Sequence, residues 1–297
     1  MLQCLSGQKS IRLYQKALPI RCNEMGQSFQ DIFWKTLRPL SEDFKNKKVA
    51  DVPAGKGQSS LKLKSLGAEV YPLDLVPDFF EAEGLECQFC DLNQQLPLDS
   101  NSMDVILSQE GIEHISDQNL AFKEFSRVLK KGGTLILSSP NGSSLKSRFS
   151  FLMGECEKSG KILPPNLFDS IWFNPGESSQ VYFGHLFVPT VTKLRVLAEV
   201  NGLELKKVHF SHLKFSNLVL FVFLYPWMFL SQSLNYFKNV RKRPFLKSEY
   251  QKTFWLSVSP KVLLDGALVL EFQKVQEPEE AIRELNKRWS RWQKNQP

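Results

Sequence analysis

A short apolar run, Lys48-Val-Ala-Asp-Val-Pro53, leads straight into Ala54-Gly55-Lys-Gly57 and then into a helix-forming segment over 58–66. A strand that turns this tightly into a helix needs small residues, because β-carbons would block the backbone. The unit then recurs. Strand-like runs cover 68–74, 86–92, 103–109, 134–140 and 203–210. Helical spacing marks 117–130, through Ala121, Phe122, Phe125, Val128 and Leu129, and also 191–199, which Asn201-Gly202 stops. This alternation predicts an α/β fold with a parallel sheet and helices on both faces. Residues 262–275, dense in Leu and Val, read as a seventh, buried strand. Residues 278–294, with Ile282, Leu285, Trp289 and Trp292 on one stripe, read as a closing amphipathic helix packed on the domain surface.

Three acids stand at the ends of successive strands: Asp51, Asp74 and Asp91. In a doubly wound sheet these ends share one rim, where ligands bind. The free N–H groups of the helix opened by Gly57 favour an anionic group. Asp74 is placed to hold ribose hydroxyls, and Asp91 to accept from an exocyclic amine. Together they predict a nucleotide-like ligand. The Gly-x-Gly-x-x-Gly dinucleotide fingerprint fails, since Gln58, Ser59 and Ser60 follow Gly57. A nicotinamide oxidoreductase is therefore disfavoured.

These motifs resemble those of class I methyltransferases. Residues 49–57 resemble their first motif, Asp-x-Gly-x-Gly-x-Gly. Asp91-Leu92, Leu96-Pro-Leu and Met103-Asp104-Val105 resemble the third- and fourth-strand motifs. Arg127-Val-Leu-Lys-Lys-Gly-Gly133 resembles the Arg-Val-Leu-Lys-Pro-Gly-Gly signature. The subgroup is the one that holds quinone-biosynthesis methyltransferases (methyltransferase type 11) and many small-molecule and glycan enzymes. The resemblance implies a Rossmann-like seven-stranded sheet and S-adenosylmethionine as cofactor. The methionine carboxylate would sit at the helix N-terminus. The contacting residues would be Asp51, Pro53, Ala54, Gly55, Gly57, Asp74, Leu75, Asp91, Leu92 and Gln109. Pro53 departs from the pattern, since it replaces the first glycine, fixes φ and removes an N–H. It is the best support for a catalytically silent scaffold domain that only keeps the fold. Residues 1–46, with Phe29, Phe33 and Trp34, resemble the N-terminal helices that cover the cofactor cleft in this family.

After the fourth strand, Gln109-Glu110-Gly-Ile-Glu113-His114 resembles the Glu-x-x-Glu-His motif of ubiquinone O-methyltransferases and small-RNA 2′-O-methyltransferases. There the motif holds a divalent metal near the acceptor hydroxyl. The resemblance nominates Glu110, Glu113 and His114 as metal ligands, with His185 as a further ligand or base, for an ion such as magnesium. Without a metal, Glu113, His114 and His185 are the candidate catalytic groups, and the same Glu-His pair can also be purely local packing. Cys87-Gln-Phe-Cys90 is a lone pair on a strand, read as structural rather than zinc-binding.

Residues 211–259 interrupt the alternation. Positions 215–237 carry no charge, and Lys238, Arg241, Lys242, Arg243 and Lys247 follow. If the flanking strands share one sheet, both ends of the insertion lie on one side of any membrane. A peripheral contact through 215–247 is then favoured over a crossing, and a lid or dimer interface stays open beside it. The expected organisation is a helical cap over 1–46, a methyltransferase domain over 47–276 and a C-terminal helix over 277–297.

The chain has 297 residues and a net charge of +7, enough for a real core and for attraction to an anionic partner. The first ten residues show no secretory signal, and the cysteines are odd in number (Cys4, Cys22, Cys87, Cys90, Cys156), which predicts a reducing cytoplasm. The expected acceptor is a hydroxyl on a small, amphipathic or lipid-linked molecule, glycan or quinol-like. RNA methylation is the alternative. It lacks a binding module, and the apolar insertion is poorly suited to phosphate, so nucleic acid is an unfavoured partner.

Overall fold

In the computed structural model, residues 29–156, 165–173 and 182–294 are described. Helix α1 (Phe29–Leu37) precedes β1 (Lys48–Asp51), α2 (Gln58–Ser65), β2 (Glu69–Asp74), β3 (Gln88–Phe89) and β4 (Met103–Gln109). Next come α3 (Gln118–Val128), β5 (Leu129–Pro140), α4 (Leu145–Gly154), α5 (Leu167–Ser170) and a small hairpin, β6 (Ile171–Phe173) and β7 (Tyr182–Phe183). Then follow α6 (Val191–Val200), β8 (Leu203–His209), α7 (Phe215–Lys242), α8 (Lys247–Val258), α9 (Pro260–Leu264), β9 (Ala267–Lys274) and α10 (Pro278–Lys294).

The main sheet has seven strands in the order β3-β2-β1-β4-β5-β9-β8. The expected parallel sheet runs from β3 to β5 and is corrected on one edge. β9 runs antiparallel to both β5 and β8, because β8 reaches it through the helical insertion and not through a parallel crossover. The predicted strand over 262–275 is shorter at its start. Pro260 opens a helical turn there, and pairing begins only at Ala267. The third strand shrinks to two residues. Helix α3 stops at Val128, two residues early, and β5 takes Leu129 onward.

Period-two alternation splits the core into two layers. Ala50, Ile106, Leu135 and Leu137 face the layer covered by α3 and α6, through Phe122, Phe125 and Leu194. Val49, Val105, Leu107 and Ile136 face the other layer, covered by α1 and α2 through Phe33, Leu37 and Leu63. Side-chain oxygens start three of the helices. Asp117 accepts from Leu120 N at the start of α3, Ser144 from Ser147 N at α4, and Thr190 from Lys193 N at α6. The Arg127 guanidinium grips Glu124 and donates to Leu96 O and Leu98 O. It thereby ties the 96–100 loop to α3.

Among the described residues the insertion is tied down at its neck. Leu213 pairs with Asp265 as an isolated bridge. The buried Asn217 side chain accepts from Lys146 N and donates to Leu264 O. Asn141 Nδ2 donates to Val262 O and Asp265 O. The α10 stripe departs from expectation. Ala281 is buried, but Ile282, Leu285 and Trp289 are exposed. Trp292 meets Trp289 at 4.5 Å and lies under the Arg243 guanidinium.

Candidate active site

The β1–α2 turn sets the geometry of the rim. Gly57 has φ +83°, and a β-carbon there would lie 2.5 Å from Ala82 Cβ and 2.7 Å from the Phe80 ring, so glycine is required twice over. Gly55 is different. At φ +53° it has open space beside its Cα, with nothing within 4 Å of a β-carbon. That open space lies next to the N-terminus of α2. Gly55 N donates to Asp74 Oδ2 and Val76 N to Asp74 Oδ1, which fixes the β2 acid against the turn. Asp91 is held by Asn93 N at 2.9 Å and by the Gln94 side chain.

Asp51 is buried at the head of β1. Its Oδ2 accepts from Ser60 Oγ at 2.6 Å, while Oδ1 has no hydrogen-bond partner. Burial, opposed by Ser60 and reinforced by nearby Asp74, pushes this carboxyl up to about 7. A second buried polar atom, Gln109 Nε2, also lacks a partner, although Gln109 Oε1 takes the Ser59 hydroxyl. Ser59 in turn receives Trp34 Nε1 and reaches Gln30 on α1. Helix α1 thus touches the start of α2. Residues 1–28, the rest of the expected cap, lie outside the described residues.

Glu110 follows β4 with φ +48°, an uncommon backbone for a residue other than glycine. This turn sends the chain into the short 3-10 helix Ile112–His114. His114 Nδ1 lies 2.8 Å from Phe183 O. A carbonyl only accepts, so Nδ1 carries the proton, and Nε2 is the ring nitrogen turned toward Glu113. That Nε2 stands 4.0 Å from Glu113 Oε1, and His185 Nε2 stands 4.0 Å from the same oxygen. The two imidazole rings are 4.9 Å apart. Glu113 is fully buried between them.

The β6–β7 hairpin and the turn after it bring this set together. Phe187 N donates to Glu113 O, and Gln118 Nε2 bridges Ile112 O and Phe187 O. Glu113, His114 and His185 therefore form a trio whose ligand atoms lie within 4.8 Å of one another. Glu110, nominated with them, falls outside the trio. Its carboxylate faces Ser138 Oγ at 3.5 Å, and burial pushes it up to about 7. Ala54, Leu75 and Leu92 follow the ends of β1, β2 and β3 in the chain. Cys87 and Cys90 form no disulfide, and burial above all raises both thiols to about 12. They stay protonated, in keeping with a structural role. Sequence reasoning missed Gln118, Phe183 and Ser138, because their contacts join segments far apart in the chain. Two surface cavities, of about 460 and 650 Å³, lie at the opposite edge of the sheet beside Asp104 and Lys48 and hold none of these residues.

Residues 50–137 match the model of a family described as a methyltransferase domain. The chain is 29% identical over 125 residues to a ubiquinone biosynthesis O-methyltransferase of Pelagibacter ubique, covering 40% of this chain and 52% of that protein. To the mitochondrial ubiquinone biosynthesis O-methyltransferase of Homo sapiens it is 24% identical over 163 residues, 48% of this chain and 44% of that protein. An uncharacterized protein of Mycobacterium tuberculosis is 33% identical over 96 residues, 30% of this chain and 35% of that one. The matched stretch thus spans between a third and about half of these relatives. A crystal structure of an S-adenosylmethionine dependent methyltransferase from Mesorhizobium loti aligns with TM-score 0.47 and 12% identity, over 82% of this chain and 97% of that one.

Proposed function

We propose that this chain, a class I S-adenosylmethionine-dependent methyltransferase by its 50–137 domain, methylates a hydroxyl oxygen on a small amphipathic or lipid-linked acceptor. The observation that carries this reading is the Glu113–His114–His185 trio, set where the β4 end meets the cofactor turn. A hydroxyl must lose a proton as it attacks, whereas a thiolate or a ready carbanion needs no such group.

The rim residues fit the methyl donor on their own chemistry. The open space at Gly55 admits a ligand backbone, and the first N–H groups of α2 suit its carboxylate. An ammonium group is what the orphaned Asp51 Oδ1 calls for, since a cation would hold that buried carboxyl ionised. Asp74 and Asp91 are assigned to the ribose hydroxyls and the adenine amine. Transfer forms the acceptor O–C bond and breaks C–S, and the bonding pair leaves on sulfur. His114 Nε2 takes the acceptor proton, and buried Glu113 stabilises the imidazolium that results. Phe183 O fixes the tautomer that makes this direction available.

The same trio fits a divalent ion. One carboxylate and two imidazoles suit zinc, manganese or iron better than magnesium, which prefers oxygen donors. Bound there by Glu113, His114 and His185, such an ion would supply Lewis acidity to the acceptor oxygen. The exposed apolar helix α7 supports an amphipathic acceptor. The test is product analysis with labelled S-adenosylmethionine and a panel of quinol-like phenols, lipid-linked glycans and short RNAs. The reading expects methyl ethers on amphipathic hydroxyls. Labelled amines, or salt-sensitive transfer to RNA alone, would replace it.

A further inference from the structure

Helix α7 is built inside out. Val219, Phe223, Trp227, Leu230, Leu234 and Phe237 recur every three or four residues, the spacing of a core-facing stripe. Here that stripe faces outward, and Trp227 is 72% exposed. The opposite face carries the packing: Phe229 and Tyr236 close on Phe254 of α8 at 5.6 and 5.5 Å. Neighbouring α4 adds exposed Phe151, Leu152 and Met153. The tip of α10, next to Arg243, adds exposed Trp289. An apolar surface this continuous on a folded domain marks a contact site.

Charge identifies the contact. The end of α7, the turn after it and the first residue of α8 hold Lys238, Arg241, Lys242, Arg243 and Lys247, all exposed, and no acid occurs from 215 to 248. A second copy of this helix would bring only more positive charge. An anionic bilayer offers both an apolar interior and negative headgroups.

The fold also decides how the helix lies. At ~42 Å it is long enough to cross a bilayer. However, its start is held at the neck through Asn217. Just past its end, Glu249 of α8 pairs with Arg195 of α6 at 2.7 Å, and Arg195 also donates to Thr253. Glu249 stands seven positions after Lys242, and even fully extended that stretch reaches only ~25 Å, short of a ~30 Å hydrocarbon core. Both ends of α7 are therefore on the protein side.

We infer that α7 is a monotopic membrane helix that lies in the plane of an anionic phospholipid surface, with its Val219–Phe237 stripe in the acyl boundary and its basic end on the headgroups. The inference does not depend on the acceptor proposed above, and its test reads membrane binding only.

The experiment is co-sedimentation of the full chain with phosphatidylcholine vesicles and with vesicles containing phosphatidylglycerol, at low and high salt. The wild type should sediment with the anionic vesicles, less at high salt, and should wash off in alkaline carbonate. Phe223→Glu combined with Trp227→Glu should cut binding by about tenfold or more, and Arg241→Glu with Lys242→Glu should abolish the preference for anionic lipid. Melting temperature and S-adenosylhomocysteine affinity should hold in both variants, which separates lost docking from lost folding. A wild type that ignores all vesicles, or a Glu double variant that binds as well as wild type, overturns the inference. So does a dimer by light scattering that dissociates in that variant without vesicle binding. Resistance to carbonate would overturn the in-plane geometry.

Discussion

The Pro53 ring lies directly against Gly111, so close that a β-carbon on Gly111 would sit 2.5 Å from Pro53 Cδ. The residue that departs from the glycine pattern in the β1–α2 turn is thus accommodated by a glycine at the start of the Glu/His segment. The contact leaves Gly55 open, which weighs against a site closed by proline. Gly111→Ala should cost about 1–3 kcal/mol of stability and weaken S-adenosylhomocysteine binding. Pro53→Gly in that background should restore much of both. A double-mutant cycle read by denaturation checks it, and additive effects would mean that the two residues are not coupled.

Asp51 predicts two opposite pH dependences. In the folded protein its carboxyl holds a proton up to about pH 7, whereas the unfolded chain releases it near 3.8. Between these values the folded state binds more protons, so this group's contribution to stability falls as pH rises. Glu110 adds a slope of the same sign, so the comparison is wild type against Asp51→Asn, whose melting temperature should decline less across that window. Affinity for the ligand's ammonium group should run the other way, strengthening as pH rises through 7. Parallel curves for the two proteins would refute the assignment.

His114→Ala should lower the transfer rate by about 10²–10⁴-fold, with S-adenosylhomocysteine affinity nearly unchanged. His185→Ala and Glu113→Gln should behave alike if the trio acts as one unit. Metal analysis of the purified chain separates the two ways the trio can work. Activity that survives chelation points to a base, and loss with recovery on adding zinc or manganese points to an ion.

Lys274 is a stability test at the opposite edge. Its fully buried ammonium donates to Leu129 O and Asn101 Oδ1 and pairs with Glu277 at 2.9 Å. Lys274→Ala strands those acceptors, and roughly 3 kcal/mol of destabilisation is expected. Thermal or urea unfolding measures it, and a change within 0.5 kcal/mol, as surface sites give, would contradict it.

The rim was legible because each of its parts is local. The strand, the turn and the acid at Asp51, Asp74 and Asp91 sit within a few residues of one another. What escaped notice depends on chain reversal. The antiparallel β9 pairs residues more than a hundred positions from β5, and apolar content alone does not reveal direction. Val262, Leu263 and Leu264 suit strand and helix alike, so their apolar run alone does not separate the α9 turn from β9. His185 was legible only as a lone histidine. The hairpin that delivers it, through Phe183 O and Phe187 N, rests on contacts about seventy residues away. The resemblance to the Glu-x-x-Glu-His motif groups Glu110 with Glu113, yet its left-handed backbone turns it toward Ser138.

Calorimetric titration of the folded chain with S-adenosylhomocysteine, beside an Asp74→Ala variant, is the direct check on cofactor binding at the rim. Micromolar binding, about −8 kcal/mol, that drops by tenfold or more in the variant is the expected result. No heat from a folded wild type, or equal affinity in both proteins, would contradict it.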